Sequence, residues 1–201
     1  MNKFLYFLFI SFLFASCNLN NQAKQVNALE KCTYEITSAD SVYVAGKNVS
    51  KLIQNNSIDI NNMPELAIAY MRQNIPFKAK LNLQIKNPTQ NKASINQFEY
   101  IVLLKDQELA RGTVDQKVSV EPGETTRVPV NVKGNIYQIL SNGKTMKDIV
   151  EFLKGTKAVG GPEKKGIVTL KIKPTIEVGN KLVAYPGFIT INKEISSNML
   201  F

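Results

Sequence analysis

Residues 81–89, Leu81-Asn82-Leu83-Gln84-Ile85-Lys86-Asn87-Pro88-Thr89, alternate apolar and polar side chains for three periods and then break at Asn-Pro. Successive side chains of a strand point to opposite faces of a sheet. This stretch is therefore expected to be half-buried, with Leu81, Leu83 and Ile85 inward and Asn82, Gln84 and Lys86 outward. Pro88 has no N–H to give to a ladder and pushes Asn87 toward extended or turn geometry, so the chain must leave the sheet there.

The same signal recurs on both sides. Upstream, CTYEITSADSVYV (residues 32–44) reads as a strand bent near Ser38-Ala39-Asp40, and MPELAIAYMRQN (63–74) as a short helix with Pro64 in its first turn. Downstream, Phe98, Tyr100, Val102 and Leu104 share one face of a strand, and Asp106-Gln107 is expected to turn it into ELARGTV. Val118 and Val120 precede a Pro122-Gly123 turn, and Val128, Val130 and Val132 then alternate strictly. Pro129 lies on the opposite parity, which suits an edge position or a bulge. TMKDIVEFLKG (145–155) carries Met146, Ile149, Val150 and Leu153 at helical spacing, with a start signal at Thr145 and Asp148 and a stop at Gly155. GIVTLKIKP, TIEVGNKLVAYPG and FITINKE close the chain as strands, with Gly179-Asn180 suited to a tight hairpin turn. The expected fold is all-β: an antiparallel immunoglobulin- or fibronectin-III-like β-sandwich with one or two added helices.

The N-terminus reads as an address. Lys3 precedes an apolar run, Phe4 to Phe14, whose eleven residues would cover only about half of a ~30 Å hydrocarbon core as a helix. Phe14-Ala15-Ser16-Cys17 resembles a bacterial lipobox, departing from it at Phe14 where Leu is usual. Residues 1–16 are thus expected to be a lipoprotein signal peptide and Cys17 a lipidated N-terminus, its acyl chains such as palmitate anchoring the protein in the cell envelope. The outer membrane, periplasmic or surface side, is the expected location. Asn18 to Ala28 is Asn/Gln-rich and reads as part of a flexible tether over 17–30, leaving 31–201 as a single domain.

Charge and cysteine content narrow the partners. The chain has 25 Lys and Arg, 16 Asp and Glu and no His, a net of +9; loss of Lys3 with residues 1–16 leaves 24 − 16 = +8. Such an excess favours anionic envelope lipids or glycans over nucleic acid. Lys78, Lys80, Lys86, Lys105, Lys133, Lys164, Lys165 and Lys171 fall on several predicted elements and form no long run, so a solvated surface with weak or no docking is expected. With Cys17 lipidated, Cys32 has no disulfide partner; it shares strand parity with Tyr34 and Ile36 and reads as a small buried hydrophobe.

Catalytic chemistry finds little footing. Without His, Ser-His-Asp and Cys-His nucleophile systems cannot form, and a zinc site would need carboxylates alone. Ser141-Asn142-Gly143-Lys144-Thr145 has the end of a phosphate-binding loop, but Gln138 stands where that motif needs Gly, so it reads as a turn capping the next helix. Glu121 with Glu124 flanks a Pro-Gly turn and Asp148 with Glu151 lies on a helix exterior; both pairs read as surface charge rather than acid–base or Ca²⁺ groups. No catalytic residue, metal or cofactor is expected.

Taken in order, Asn87-Pro88, the hairpin carrying Ala110-Arg111-Gly112, and the Pro122-Gly123 turn leading into the strand that ends near Val132 resemble the late-embryogenesis-abundant type 2 domain, the water stress and hypersensitive response domain, over about residues 78–193. That resemblance implies the sandwich fold, stress protection or binding of apolar or membrane components, and no catalysis. Residues 44–77 look like an elaboration. Two functions are compatible with this reading: a lipid-tethered interaction or stress-protective module meeting envelope proteins, lipids or glycans, and a lipid or apolar-ligand binder with a cavity between the sandwich and its helix. An apolar pocket of ~300 Å³ or more would distinguish the second.

Overall fold

The computed structural model describes residues 16–49, 64–147, 165–178 and 181–196. Two antiparallel sheets and a small ribbon share one hydrophobic core. The first sheet runs β2 (Lys47–Asn48), β1 (Thr33–Val44), β3 (Pro76–Lys86), β8 (Thr125–Asn135). The second is centred on β9 (Lys165–Val178), with β5 (Gln97–Leu104) and then β6 (Gln107–Val114) on one side. On its other side, β11 (Ile189–Ser196) and β10 (Lys181–Ala184) pair with successive halves of β9. A ribbon of β4 (Ala93–Ile95) and β7 (Val118–Val120) contributes Ala93, Ile95, Val118 and Val120 to the same core.

The opening stretch behaves as its alternation dictates. Leu83 and Ile85 are fully buried and Leu81 nearly so, facing Val128 and Val130 across the β3–β8 register and Leu170 and Ile172 from the second sheet within the common core. The bend expected in β1 is present as register shifts between Ile36 and Ser38 and between Asp40 and Tyr43. Pro129 sits in an edge strand. Its neighbour two residues on, Asn131, turns its carbonyl to the Tyr100 hydroxyl rather than to β3, so the proline's missing N–H falls on the open side of the ladder.

Four local expectations shift. The 97–114 hairpin turns at Lys105-Asp106, one residue earlier than expected, with φ of 48° and 64°. Both values lie in the left-handed region of the tight hairpin turn that matches strand twist. The strands read separately as 166–174 and 175–187 begin as one, because Pro174 does not interrupt β9. Its carbonyl accepts Tyr185 N–H at 2.7 Å, so its donor-less nitrogen faces the side where the partner changes from β11 to β10 and one ladder bond is dispensable. The helix expected from Thr145 starts at Gly143. Asn142 caps it, its Oδ1 accepting Thr145 N–H at 3.2 Å and its carbonyl accepting Met146 N–H at 2.9 Å; the remainder of 145–155, with Asp148 and Glu151, lies outside the described residues, as do Gly179-Asn180.

The fourth shift is at the N-terminus. Where composition suggests a flexible tether, residues Ser16–Lys31 form helix α1, whose last turns pack on β4 and β9. Ala28 and Leu29 are each only 1% exposed and Val26 is half-buried beside them. Three apolar residues on one stripe suffice to dock a helix that is otherwise polar. Helix α2 (Pro64–Met71) and the short α3 (Tyr137–Ser141) build a second cluster at one end, where Ala69, Ile75, Ile136 and Ile139 are buried together. Asn135 ties this end shut: its Oδ1 accepts the N–H groups of Ile75 and Tyr137, and its Nδ2 donates to Gln73 O.

Candidate functional site

The Asn-Pro break is a structural knot. Asn87 is wholly buried and all of its side-chain valences are used. Nδ2 donates to Asn91 O at 2.8 Å and to Val120 O at 3.0 Å, while Oδ1 accepts from Thr89 N at 3.0 Å and Thr89 Oγ1 at 2.8 Å. Its backbone closes on the Pro122-Gly123 turn: Asn87 N–H donates to Glu124 O and Asn87 O accepts Gly123 N–H, each at 2.9 Å. Gly123, at φ 75°, occupies the turn position that demands glycine. Two of the anchors in the sequence are thus one unit in space.

Ala110-Arg111-Gly112 is explained by closeness. A Cβ on Gly112 would lie 2.6 Å from the Tyr100 hydroxyl, which reaches over it to donate to Asn131 O at 3.1 Å and so links the second sheet to β8. Between the same two strands, β6 and β8, a Cβ on Gly134 would run into Leu109 O and Ala110, because the two backbones approach closely there. Arg111 points outward into a bidentate pair with Glu108, both bonds 2.6 Å.

Cys32 is buried and free. Burial pushes its thiol pKa up against a weaker opposing hydrogen bond with Tyr34, and burial raises the Tyr34 phenol as well, followed by the nearby Cys32 and Tyr185. Tyr34 donates to Leu29 O at 2.8 Å and Tyr185 to Glu30 Oε1 at 3.0 Å, so these groups pin the end of α1 to the domain. A thiol held protonated in apolar surroundings is a poor nucleophile. Cys17 is the second residue of α1.

Of the carboxylates singled out in sequence, Glu121 and Glu124 are described and both lie at the surface. Glu121 bonds Lys92 at 2.5 Å and Glu124 stands exposed across the turn. Among the described residues, no group of three or more His, Cys, Asp or Glu could hold a metal. A cavity of about 310 Å³ opens between the β5–β6 turn and the helix start, lined by Leu104, Lys105, Gln107, Ile139, Asn142, Lys144 and Thr145. Its size reaches the range of a ligand site, but only Leu104 and Ile139 are apolar, so it lacks the greasy wall that a lipid tail requires.

The feature hidden from a linear reading is a basic face. Lys78, Lys80 and Lys86 alternate with buried Ala79, Leu81 and Ile85 and so leave β3 on its solvent side. Register places Lys133 directly opposite Lys78 and Arg127 opposite Gln84, both exposed on β8. Lysines that look dispersed along the chain are therefore gathered on the outer surface of two neighbouring strands. The parity of 78, 80 and 86 was visible in sequence; the β8 contribution needed the register.

A β-rich domain of two antiparallel sheets, knotted at an Asn-Pro corner and closed by a tyrosine over glycine, defines the class. A family model described as late embryogenesis abundant protein matches residues 82–191, more than half of the chain, and the chain belongs to that family in its type 2 form. Membership points to a non-catalytic, stress-related module. Among solved structures, the chain is similar to a late embryogenesis abundant protein studied in solution (19% identity, covering 92% of this chain and 84% of that one, TM-score 0.36). It is also similar to a protein of Arabidopsis thaliana (20% identity, 61% and 70% covered, TM-score 0.36) and to one of Archaeoglobus fulgidus (15% identity, 60% and 85% covered, TM-score 0.34). No curated protein matches the chain.

Proposed function

We propose that this protein is a non-catalytic envelope lipoprotein, a stress-protective or interaction module held at a membrane by acyl chains on Cys17. The observation that carries the proposal is the motif Phe14-Ala15-Ser16-Cys17, whose cysteine falls in the first turn of a helix docked at its far end. Cleavage before Cys17 would put the acylated residue at the start of α1, and the fourteen residues from Cys17 to Glu30 would span about 20 Å as helix. With Ala28 and Leu29 in the core and Tyr34 and Tyr185 on its end, that helix is a fixed spacer rather than a loose leash. The two facing sheets are read as a variant of the immunoglobulin- or fibronectin-III-like sandwich, a scaffold whose edges and loops serve recognition in many settings.

Metabolic labelling with a fatty-acid probe tests the anchor. Label should enter the wild-type chain and be absent from Cys17→Ser; equal labelling of the two would sink the proposal. The second reading, an apolar-ligand binder, draws on the 310 Å³ cavity alone. A fluorescent fatty acid that is displaced by Ile139→Trp would support it, whereas its five polar lining residues favour the tethered module.

A further inference from the structure

Carboxylates find cationic partners at several surface sites: Glu65 with Lys47 of β2, Glu121 with Lys92, Glu108 with Arg111, Glu177 with Lys117, and Glu194 with Lys165. The described outer face of β3 and β8 holds no such pair. Lys78, Lys80, Lys86, Arg127 and Lys133 project from it, and among the described residues none of the five is in an ion pair. The neighbouring strand β1 supplies two acids to this face, and both are engaged. Glu35 bonds Lys193 at 2.9 Å, and Asp40, across from Lys80, accepts Asn82 Nδ2 at 2.6 Å.

Lys78 directly opposite Lys133 is the sharpest detail. Side chains opposed on antiparallel strands stand only ~5 Å apart at Cβ, and like charges there destabilise the sheet unless an anion sits between them. From Lys78 to Lys86 the cations extend along β3 for eight residues, about 27 Å at the rise of a strand. They occupy the outer surface of two adjacent strands, with the exposed Tyr43 of β1 at its margin. A single-stranded nucleic acid would want a groove and stacking rings. A surface bearing discrete phosphates in two dimensions complements cations spread over two neighbouring strands.

We infer that the outer face of the β1–β3–β8 sheet is a docking surface for a membrane leaflet carrying anionic phospholipid headgroups, with Lys78, Lys80, Lys86, Arg127 and Lys133 as its contacts. The inference does not depend on acylation at Cys17. The two are tested separately by using the mature chain from residue 17 with Cys17→Ser, which carries neither acyl chains nor the apolar run Phe4–Phe14 and so can bind vesicles only through protein surface.

That chain is sedimented with vesicles of phosphatidylcholine alone or mixed with phosphatidylglycerol. It should bind the mixed vesicles and not the neutral ones, and binding should fall steeply between ~50 and ~200 mM salt as the Debye length shortens. Each basic residue near an anionic leaflet is worth roughly a fivefold gain, so Lys78→Gln/Lys80→Gln/Lys86→Gln/Lys133→Gln should lose on the order of 10²- to 10³-fold in partitioning. An equal charge change elsewhere, Lys117→Gln/Lys144→Gln/Lys171→Gln/Lys181→Gln, should lose less than about tenfold, through net charge only. The four face lysines changed to Arg instead should keep binding, which guards against a folding defect in the Gln variant. No binding to the mixed vesicles, equal losses in the two Gln variants, loss in the Arg variant, or tighter binding to soluble polyphosphate than to vesicles would each overturn the inference.

Discussion

Asn87→Ala should destabilise the domain far more than its small change in volume suggests. The substitution removes four hydrogen bonds at once. The bond to Val120 O lies in the buried interior, and stranding that carbonyl should cost about 1–3 kcal/mol. The bonds to Asn91 O, Thr89 N and Thr89 Oγ1 are only part-buried, and water can replace some of them, so the three together add about 2 kcal/mol. Together they amount to about 3–5 kcal/mol, a large share of the ~5–15 kcal/mol typical of a whole domain. The corner between β3, the ribbon and the Pro122-Gly123 turn would loosen with it. Urea unfolding followed by circular dichroism measures the effect: the midpoint should drop with the slope preserved, and the melting temperature should fall by roughly 6–20 °C for a domain of this size. Asn87→Asp adds a sign test. Two lone-pair-bearing carbonyls would then face a buried carboxyl, whose folded pKa must rise above its unfolded value. Its protonated form would be favoured in the folded state, so stability should be greatest below the unfolded pKa and be lost as pH rises toward the folded one. A loss under ~1 kcal/mol for the alanine variant, or an aspartate variant indifferent to pH, would refute the account of the knot.

Val130→Asp should unfold the domain, because the side chain is fully buried in the core, whereas Asn131→Asp, exposed and across from Lys80, should melt within a few degrees of wild type; matching melting curves would contradict the register. Gly112→Ala should lower stability by about 1–3 kcal/mol as its Cβ drives Tyr100 off Asn131 O, and Tyr100→Phe by about 1 kcal/mol; a double-mutant cycle should show the two losses to be less than additive, since they break the same bond. Cys32 should resist thiol reagents in the native state and react on unfolding, since burial excludes reagent and disfavours thiolate; rapid native-state modification would place it elsewhere. Because burial raises both the Cys32 thiol and the Tyr34 phenol, the folded state holds their protons longer than the unfolded chain does. Their contribution is complete below the ordinary thiol value of 9.0 and is lost as pH climbs above it, so alkaline titration should lower the melting temperature from that point, and Cys32→Ala should blunt the first part of the fall.

Local sequence carried much of this molecule. Period-two alternation is a property of neighbouring residues, so the inward sets Leu81–Leu83–Ile85 and Val128–Val130–Val132 could be read directly, as could the Pro122-Gly123 turn, whereas Pro129 left an edge and a bulge both open until the ladder put it in an edge strand. The order of Asn87-Pro88, Ala110-Arg111-Gly112 and Pro122-Gly123 also pointed to the family. What these anchors do was not legible, because each acts on a residue elsewhere in the chain: Asn87 on Val120 and Gly112 under Tyr100. The docked helix escaped for a related reason. Val26, Ala28 and Leu29 are too few to announce a helix by composition, and their value depends on a groove beside β4 and β9 that exists only after folding. The basic face is the plainest case. Alternation sends Lys78 and Lys133 to the solvent side of their own strands, but their meeting is set by the antiparallel register of β3 with β8. That register is decided by which buried side chains fit together across the core, a choice made among distant residues and written in no single stretch.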